Sequence, residues 1–239
     1  DEMIECLSKI GSGDVVLLHG CCHNPCGADL NPEQWQQVRD VALKQGFTVF
    51  IDLAYQGLGD GLEEDVYGTR LLAESLPELI IVSSCSKNFG LYRERTGAMT
   101  MISDSAAAAA VATTQIAAAA RAMYSMPPDH GAAIVQLILS DDALRSQWDT
   151  ELTEMRDRIN GLRAQFVRQI QSIGIDRDFS FIEREKGMFS FLGVNVDQVQ
   201  SLVNDYSIYL VNSSRINVAG INDSNLEYLA NSLAAVLKV

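Results

Sequence analysis

A lysine placed just past an apolar run is the residue in this chain best suited to covalent chemistry. Leu79-Ile80-Ile81-Val82 reads as a buried strand, and Ser83-Ser84-Cys85-Ser86-Lys87-Asn88-Phe89-Gly90 follows it directly. A lysine beside an enclosed site loses its proton more readily than a solvated one, and its free amine can form a Schiff base with a carbonyl. Two earlier runs end in the same manner. Thr48-Val49-Phe50-Ile51 leads into Asp52-Leu53-Ala54-Tyr55, and Val15-Val16-Leu17-Leu18 leads through His19-Gly20 into Cys21-Cys22-His23-Asn24-Pro25-Cys26-Gly27. A carboxylate, a phenol, an amide and an amine are thus delivered at the carboxyl ends of three strand-like runs, where open parallel sheets bind small molecules.

Six motifs occur in order along nearly the whole chain. They are H-N-P-x-G at His23 to Gly27, D-x-A-Y-Q-G at Asp52 to Gly57 and S-x-S-K-N-F-G-L-Y at Ser84 to Tyr92, then Y-S-x-P-P at Tyr124 to Pro128, G-M-F-S-F at Gly187 to Phe191 and R-I-N-V-A-G at Arg215 to Gly220. On these motifs the chain resembles the C-terminal part of the pyridoxal-phosphate-dependent aspartate aminotransferases, the fold-type I group that also includes the aromatic amino acid aminotransferases. Cys26 departs from the pattern, which usually has threonine there.

The resemblance implies a role for each of eight residues. Lys87 would carry pyridoxal phosphate as a Schiff base and, once displaced by an amino acid, move a proton between the substrate α-carbon and the cofactor. Asp52 would keep the pyridine nitrogen protonated, so that the ring remains an electron sink. Tyr55 and Asn24 would hydrogen-bond the ring's phenolic oxygen, Asn24 also lying at the substrate. Ser84 and Arg95 would bind the phosphate. Arg215 would clamp the substrate α-carboxylate. Arg121 would meet a side-chain carboxylate from across the interface of a homodimer. The implied reaction is ping-pong transamination between an amino acid, aspartate before aromatic ones, and the 2-oxo acid 2-oxoglutarate. A lyase or decarboxylase on the same scaffold, or a catalytically silent fragment or association subunit, is the alternative.

The elements that must position these groups read as an α/β chain. By the resemblance, residues 1–140 are part of a mostly parallel-sheet large domain that binds the cofactor, and 141–239 are a smaller α+β C-terminal domain. A helix is expected over residues 1–11. Asn31-Pro32-Glu33 opens a helix that Gly46 closes. Gly97 to Ile102 adds a strand, and Ser103-Asp104-Ser105 caps an alanine-rich helix over 106–120. A helix over 132–139 follows Pro127-Pro128. Leu144, Trp148, Leu152, Met155, Ile159, Leu162 and Phe166 recur at helical steps in one long amphipathic helix over 141–173. Strands are expected at 179–182, 188–192 and 208–211, and a last helix from about Asp223.

Composition narrows the function classes. The 239 residues are 47% hydrophobic and carry a formal charge of −13, with no basic cluster, which argues against a nucleic-acid-binding face. No apolar run has membrane-spanning length, so no membrane partner is expected. Five cysteines in a chain of this length do not read as a secreted disulfide framework, and a cytoplasmic setting is expected. His19, Cys22, His23 and Cys26 offer zinc donors, but the paired C-x-x-C spacing of common structural sites is absent and no metal is expected.

Each selected residue also has a plainer reading. Lys87 and Arg215 could be surface charges, Asp52 and Tyr55 could cap a helix and fill a core edge, Arg95 could pair with Glu94 or Glu63, and Arg121 could complement a helix dipole. Phe189 and Phe191 read as core. The joint occurrence of all these residues within six ordered motifs favours the chemical reading. No glycine-rich phosphate loop and no stacking aromatic precede Val15, so the chain is expected to be part of a longer enzyme, its sheet open at an edge. Alone it is then expected to bind the cofactor weakly, to associate and to turn over little.

Overall fold

A computed structural model of the chain describes residues 2–237. They form two compact units. The first takes the described residues up to Cys21, Leu30–Gly57 and Gly61–Leu152; the second takes Cys22–Asp29, Leu58–Asp60 and the described residues from Thr153. The division passes through the long helix between Leu152 and Thr153. Of the expected opening helix, α1 covers Glu2–Leu7, residue 1 lying outside the described residues.

In the first unit, β1 (Val15–His19), β2 (Thr48–Leu53) and β3 (Leu79–Ser84) run parallel, and β4 (Gly97–Ile102) is antiparallel to β3, in the order β1-β2-β3-β4. Strand β2 alternates strictly. Val49, Ile51 and Leu53 are buried, while Thr48, Phe50 and Asp52 are half-buried on the other face. The register sets His19 beside Asp52 and Asp52 beside Val82, so the strand ends are nearly level.

Helix α2 (Pro32–Gln45) starts where its sequence dictates. The Asn31 side chain accepts from Gln34 N, Gln34 returns a bond to Asn31 N, and Gly46 ends the helix at φ 75°. Trp35, Val38 and Ala42 form its buried face. Helix α3 (Tyr67–Ser75), which the pattern reading did not include, approaches it closely. A Cβ on Gly68 would lie 2.2 Å from the Trp35 ring, so only glycine permits this contact. Helix α4 (Ala106–Tyr124) is capped by Ser105, whose hydroxyl accepts from Ala108 N, and buries no residue. Helix α5 spans His130–Ser140.

Helix α6 (Asp142–Ile173) follows. Of its expected stripe Leu152, Ile159, Leu162 and Phe166 are buried, while Leu144 and Met155 are exposed. In the second unit its apolar face packs with α8 (Val196–Tyr206) and α9 (Leu226–Leu237) around Phe166, Ile170, Ile182, Leu192, Leu202 and Leu233. Each such side chain contributes about 1.5–3 kcal/mol by leaving water.

Three strand expectations change in this unit. Residues 179–182 enter a short helix, α7 (Phe181–Arg184), because Asp178 Oδ1 accepts from Ser180 N and turns the chain. The expected 188–192 strand is shorter, β5 (Phe189–Phe191), paired antiparallel with β6 (Arg215–Asn217). Residues 208–211 form no strand; the chain leaves α8 through Ser207 at φ 55°, and Tyr209 is 81% exposed. The Phe189 and Phe191 rings are half-buried, and Ser190 between them is the buried residue.

Candidate active site

In the first unit the polar groups gather where β2 and β3 end. Tyr55, two residues past β2, is 4% exposed, and Lys87 Nζ lies 4.5 Å from the centroid of its ring. The contact is a cation–π interaction that sets the amine over a buried phenol. Ser84 closes β3, and its hydroxyl accepts from Ser86 N and bonds Ser86 Oγ. The chain turns back through Gly90, at φ 67°, whose N–H donates to the Lys87 carbonyl.

Residues other than the eight given roles above hold this turn. Asn88 Nδ2 donates to the Gln56 carbonyl at 3.2 Å, tying the Lys87 turn to the segment after Tyr55. Trp148 Nε1 donates to the Asn88 carbonyl at 2.7 Å, and its ring stacks on Phe89 at 4.5 Å. Lys87 is thus followed by two residues held by part-buried contacts. Trp148 was legible only as part of an amphipathic stripe. Burial pushes the neighbouring Cys85 thiol up, which disfavours a thiolate there.

The plainer pairings of Arg95 are not formed. Glu63 is engaged by Arg70 and Glu94 by His130, while Arg95, at φ 54°, donates to the Tyr92 carbonyl. Arg121 is exposed in the last turn of α4.

In the second unit, Asn24 and Arg215 meet although far apart in sequence. Arg215 Nη1 donates to Asn24 Oδ1 at 3.0 Å, and its guanidinium carbon lies 4.6 Å from the Phe189 ring centroid. A planar cation with an aromatic face below and an amide beside it is prepared to take a carboxylate on its remaining donors. The Asn24 loop is shaped by Asp29, whose carboxylate accepts from the backbone N–H groups of Cys22 and His23. Gly27, at φ 75°, allows a close approach: a Cβ there would lie 2.6 Å from the Phe189 carbonyl. His23 Nδ1 and Cys26 Sγ are 3.0 Å apart, and Cys22 packs against Gly187.

The donor set suits a phosphorylated pyridine aldehyde. Lys87 would supply the amine, Asp52 the carboxylate, Tyr55 the phenol, and Ser84 and Arg95 would be the groups offered to a phosphate. A fully buried arginine was missed altogether. Arg163, on α6, is 0% exposed and reaches the turn before β5. Its position among Ile159, Leu162 and Phe166 was the signal, against the rule that an arginine is almost never fully buried unless paired.

A mostly parallel sheet of four strands, with a lysine set over a buried phenol beyond the ends of β2 and β3, makes the first unit an α/β structure. The chain belongs to the aminotransferase class I and II family, whose profile matches residues 1–233. It is 49% identical to an aspartate aminotransferase of Haemophilus influenzae over 237 residues, 99% of this chain and 60% of that protein. To an aromatic-amino-acid aminotransferase of Paracoccus denitrificans it is 45% identical, over 96% of this chain and 58% of the relative. The solved aromatic-amino-acid aminotransferase of Burkholderia pseudomallei, covalently bound to pyridoxal phosphate, superposes with a TM-score of 0.96 at 45% identity, over 98% of this chain and 59% of that one. The fold is that of the fold-type I aminotransferases. The chain spans about 60% of the length of the curated relatives it matches.

Proposed function

We propose that the protein is a pyridoxal-phosphate-dependent aminotransferase that exchanges the amino group of aspartate, and of aromatic amino acids in second place, with 2-oxoglutarate. The observation that carries this reading is the Lys87 amine held 4.5 Å from the buried Tyr55 ring beyond the ends of β2 and β3. The bound cofactor would supply an electron sink for the substrate α-carbon.

The roles of the chain's own residues follow from their chemistry. Lys87 anchors the cofactor covalently and serves as the base that moves the α-proton. Asp52 stabilises a protonated pyridine nitrogen. Tyr55 and Asn24 donate to the ring oxygen, and Ser84 and Arg95 hold the phosphate. Arg215, with Asn24, takes the α-carboxylate. Arg121 takes a side-chain carboxylate, contributed across the interface of a homodimer. Residues 1–140 then belong to the cofactor-binding large domain and 141–239 to the small domain. No helix among the described residues is long and apolar enough to cross a membrane.

The test is chemical. Added pyridoxal phosphate should give a visible absorbance band that aspartate or glutamate bleaches, and borohydride should fix the cofactor to the peptide containing Lys87. A cofactor attached at another lysine, or a band that no amino acid alters, would overturn the reading.

A further inference from the structure

We infer that Arg163 is a positioning residue for Arg215: by holding the turn over residues 182–190 it fixes both the ring beneath the Arg215 guanidinium and the loop that carries Asn24. The inference rests on the reading of Arg215 as the carboxylate clamp.

The geometry begins with a guanidinium wholly removed from water. Arg163 Nη1 donates to the Ile182 carbonyl at 3.0 Å and to Ser190 Oγ at 2.6 Å. Its Nη2 faces the carbonyls of Lys186, Gly187 and Phe189 at 3.2, 2.7 and 2.8 Å. Ser190 Oγ in turn donates to Glu185, whose carboxylate lies 3.6 Å from Arg163 Nη1. Four carbonyls, from Ile182 in α7 to Phe189 at the start of β5, converge on a planar fork. An ammonium could not meet them in this arrangement.

Both neighbours of Arg215 hang from that turn. Phe189, whose carbonyl Arg163 holds, places its ring under the Arg215 guanidinium. In the β5–β6 pair Phe191 is the register partner of Arg215 and Ser190 that of Ile216. On the other side, Lys186 N donates to the Gly27 carbonyl at 2.8 Å, and Gly27 sits too close to the Phe189 carbonyl for any larger residue. Asn24, three residues earlier, is therefore placed by the same turn. A buried ion of this kind is weak evidence for stability, and fixing one geometry among several is the role such groups serve best.

If Arg163 acts through Arg215, its removal should weaken carboxylate binding only while Arg215 is present. The experiment measures KM and kcat for aspartate, the Kd of the unreactive dicarboxylate succinate, and Tm for the full-length cofactor-loaded protein. Variants are Arg163→Lys, which keeps the charge and loses the fork, and Ser190→Ala, each made with Arg215 and with Arg215→Lys. With Arg215 present, Arg163→Lys should raise KM and the succinate Kd by about tenfold, with kcat changed less than about threefold. In the Arg215→Lys background it should add less than about twofold, the non-additivity expected of coupled residues. Ser190→Ala should move the same quantities in the same direction, and it carries the comparison if Arg163→Lys does not fold. Equal losses in both backgrounds, or a lowered Tm with unchanged KM and Kd, would overturn the inference alone. A wild type that neither turns over aspartate nor binds succinate would overturn the functional reading and this inference together.

Discussion

The amine of Lys87 and the ring of Tyr55 are joined by a contact of 4.5 Å, although they belong to segments that follow different strands. The parallel register of β2 and β3, with Asp52 beside Val82, brings the two segments out at the same level of the sheet. Lys87→Ala should abolish turnover in a folded protein, and Lys87→Arg should do nearly as much damage, since a guanidinium remains protonated at neutral pH. Purified variants showing more than about a tenth of wild-type kcat, a loss of under ~1.4 kcal/mol in barrier, would contradict the assignment.

Tyr55→Phe keeps the ring under Lys87 and removes only the phenol. If that hydroxyl donates to the cofactor's ring oxygen, its loss should raise the pH at which the visible band titrates. A spectrophotometric titration of the loaded variant decides the point; an unchanged midpoint would remove Tyr55 from the cofactor.

The two candidate carboxylate binders should separate by substrate. Arg121→Ala should lower kcat/KM for aspartate by about a hundredfold and spare phenylalanine and alanine, whereas Arg215→Ala should damage all three. Interchangeable effects would show that the roles are wrongly divided.

Glu185 gives a pH signature for stability. Burial pushes its carboxyl above the ordinary value of 4.5, opposed by the Ser190 hydrogen bond and by Arg163. A carboxyl raised in the folded state stabilises the fold fully below its unfolded pKa and loses that contribution as pH rises through the folded value. The Tm of Glu185→Gln, relative to wild type, should therefore rise with pH over that window. A difference that stays flat would mean that Glu185 titrates alike in both states.

Gly27→Ala should destabilise the second unit by more than about 1–2 kcal/mol, the ordinary cost of left-handed backbone for a residue with a Cβ. At φ 75° the added carbon also meets the Phe189 carbonyl. Chemical denaturation measures the loss, and a neutral substitution would show that the loop is not held as described.

The legible parts of this chain are those where one physical pattern acts alone. β2 and β3 are continuous apolar runs, and α2 carries its own start at Asn31-Pro32 and its stop at Gly46. The places of Lys87, Asp52 and Tyr55 near the strand ends were legible because the strands fix where these residues emerge. Helix α8 was missed although Asn195 and Gln198 form a capping box in plain sequence. The 208–211 run has strand composition but no ladder partner among the described residues, and composition cannot supply one. Arg163 escaped because a lone charge in a long polar helix ordinarily faces water. Its place four residues past Ile159 and three before Phe166, on the buried stripe, was the one sign against that expectation.

Helix α4 invites a last consequence. Nineteen residues long and without one buried side chain, it touches the unit only through half-buried positions such as Ala108, Ala112, Ile116 and Ala120, four residues apart. Its persistence rests on the preference of alanine for the helical state, which confers little cooperativity with the core. In the monomer, where no partner covers the Arg121 end, its amides should therefore exchange with solvent deuterium through local fraying, well before those of β2 and β3 open.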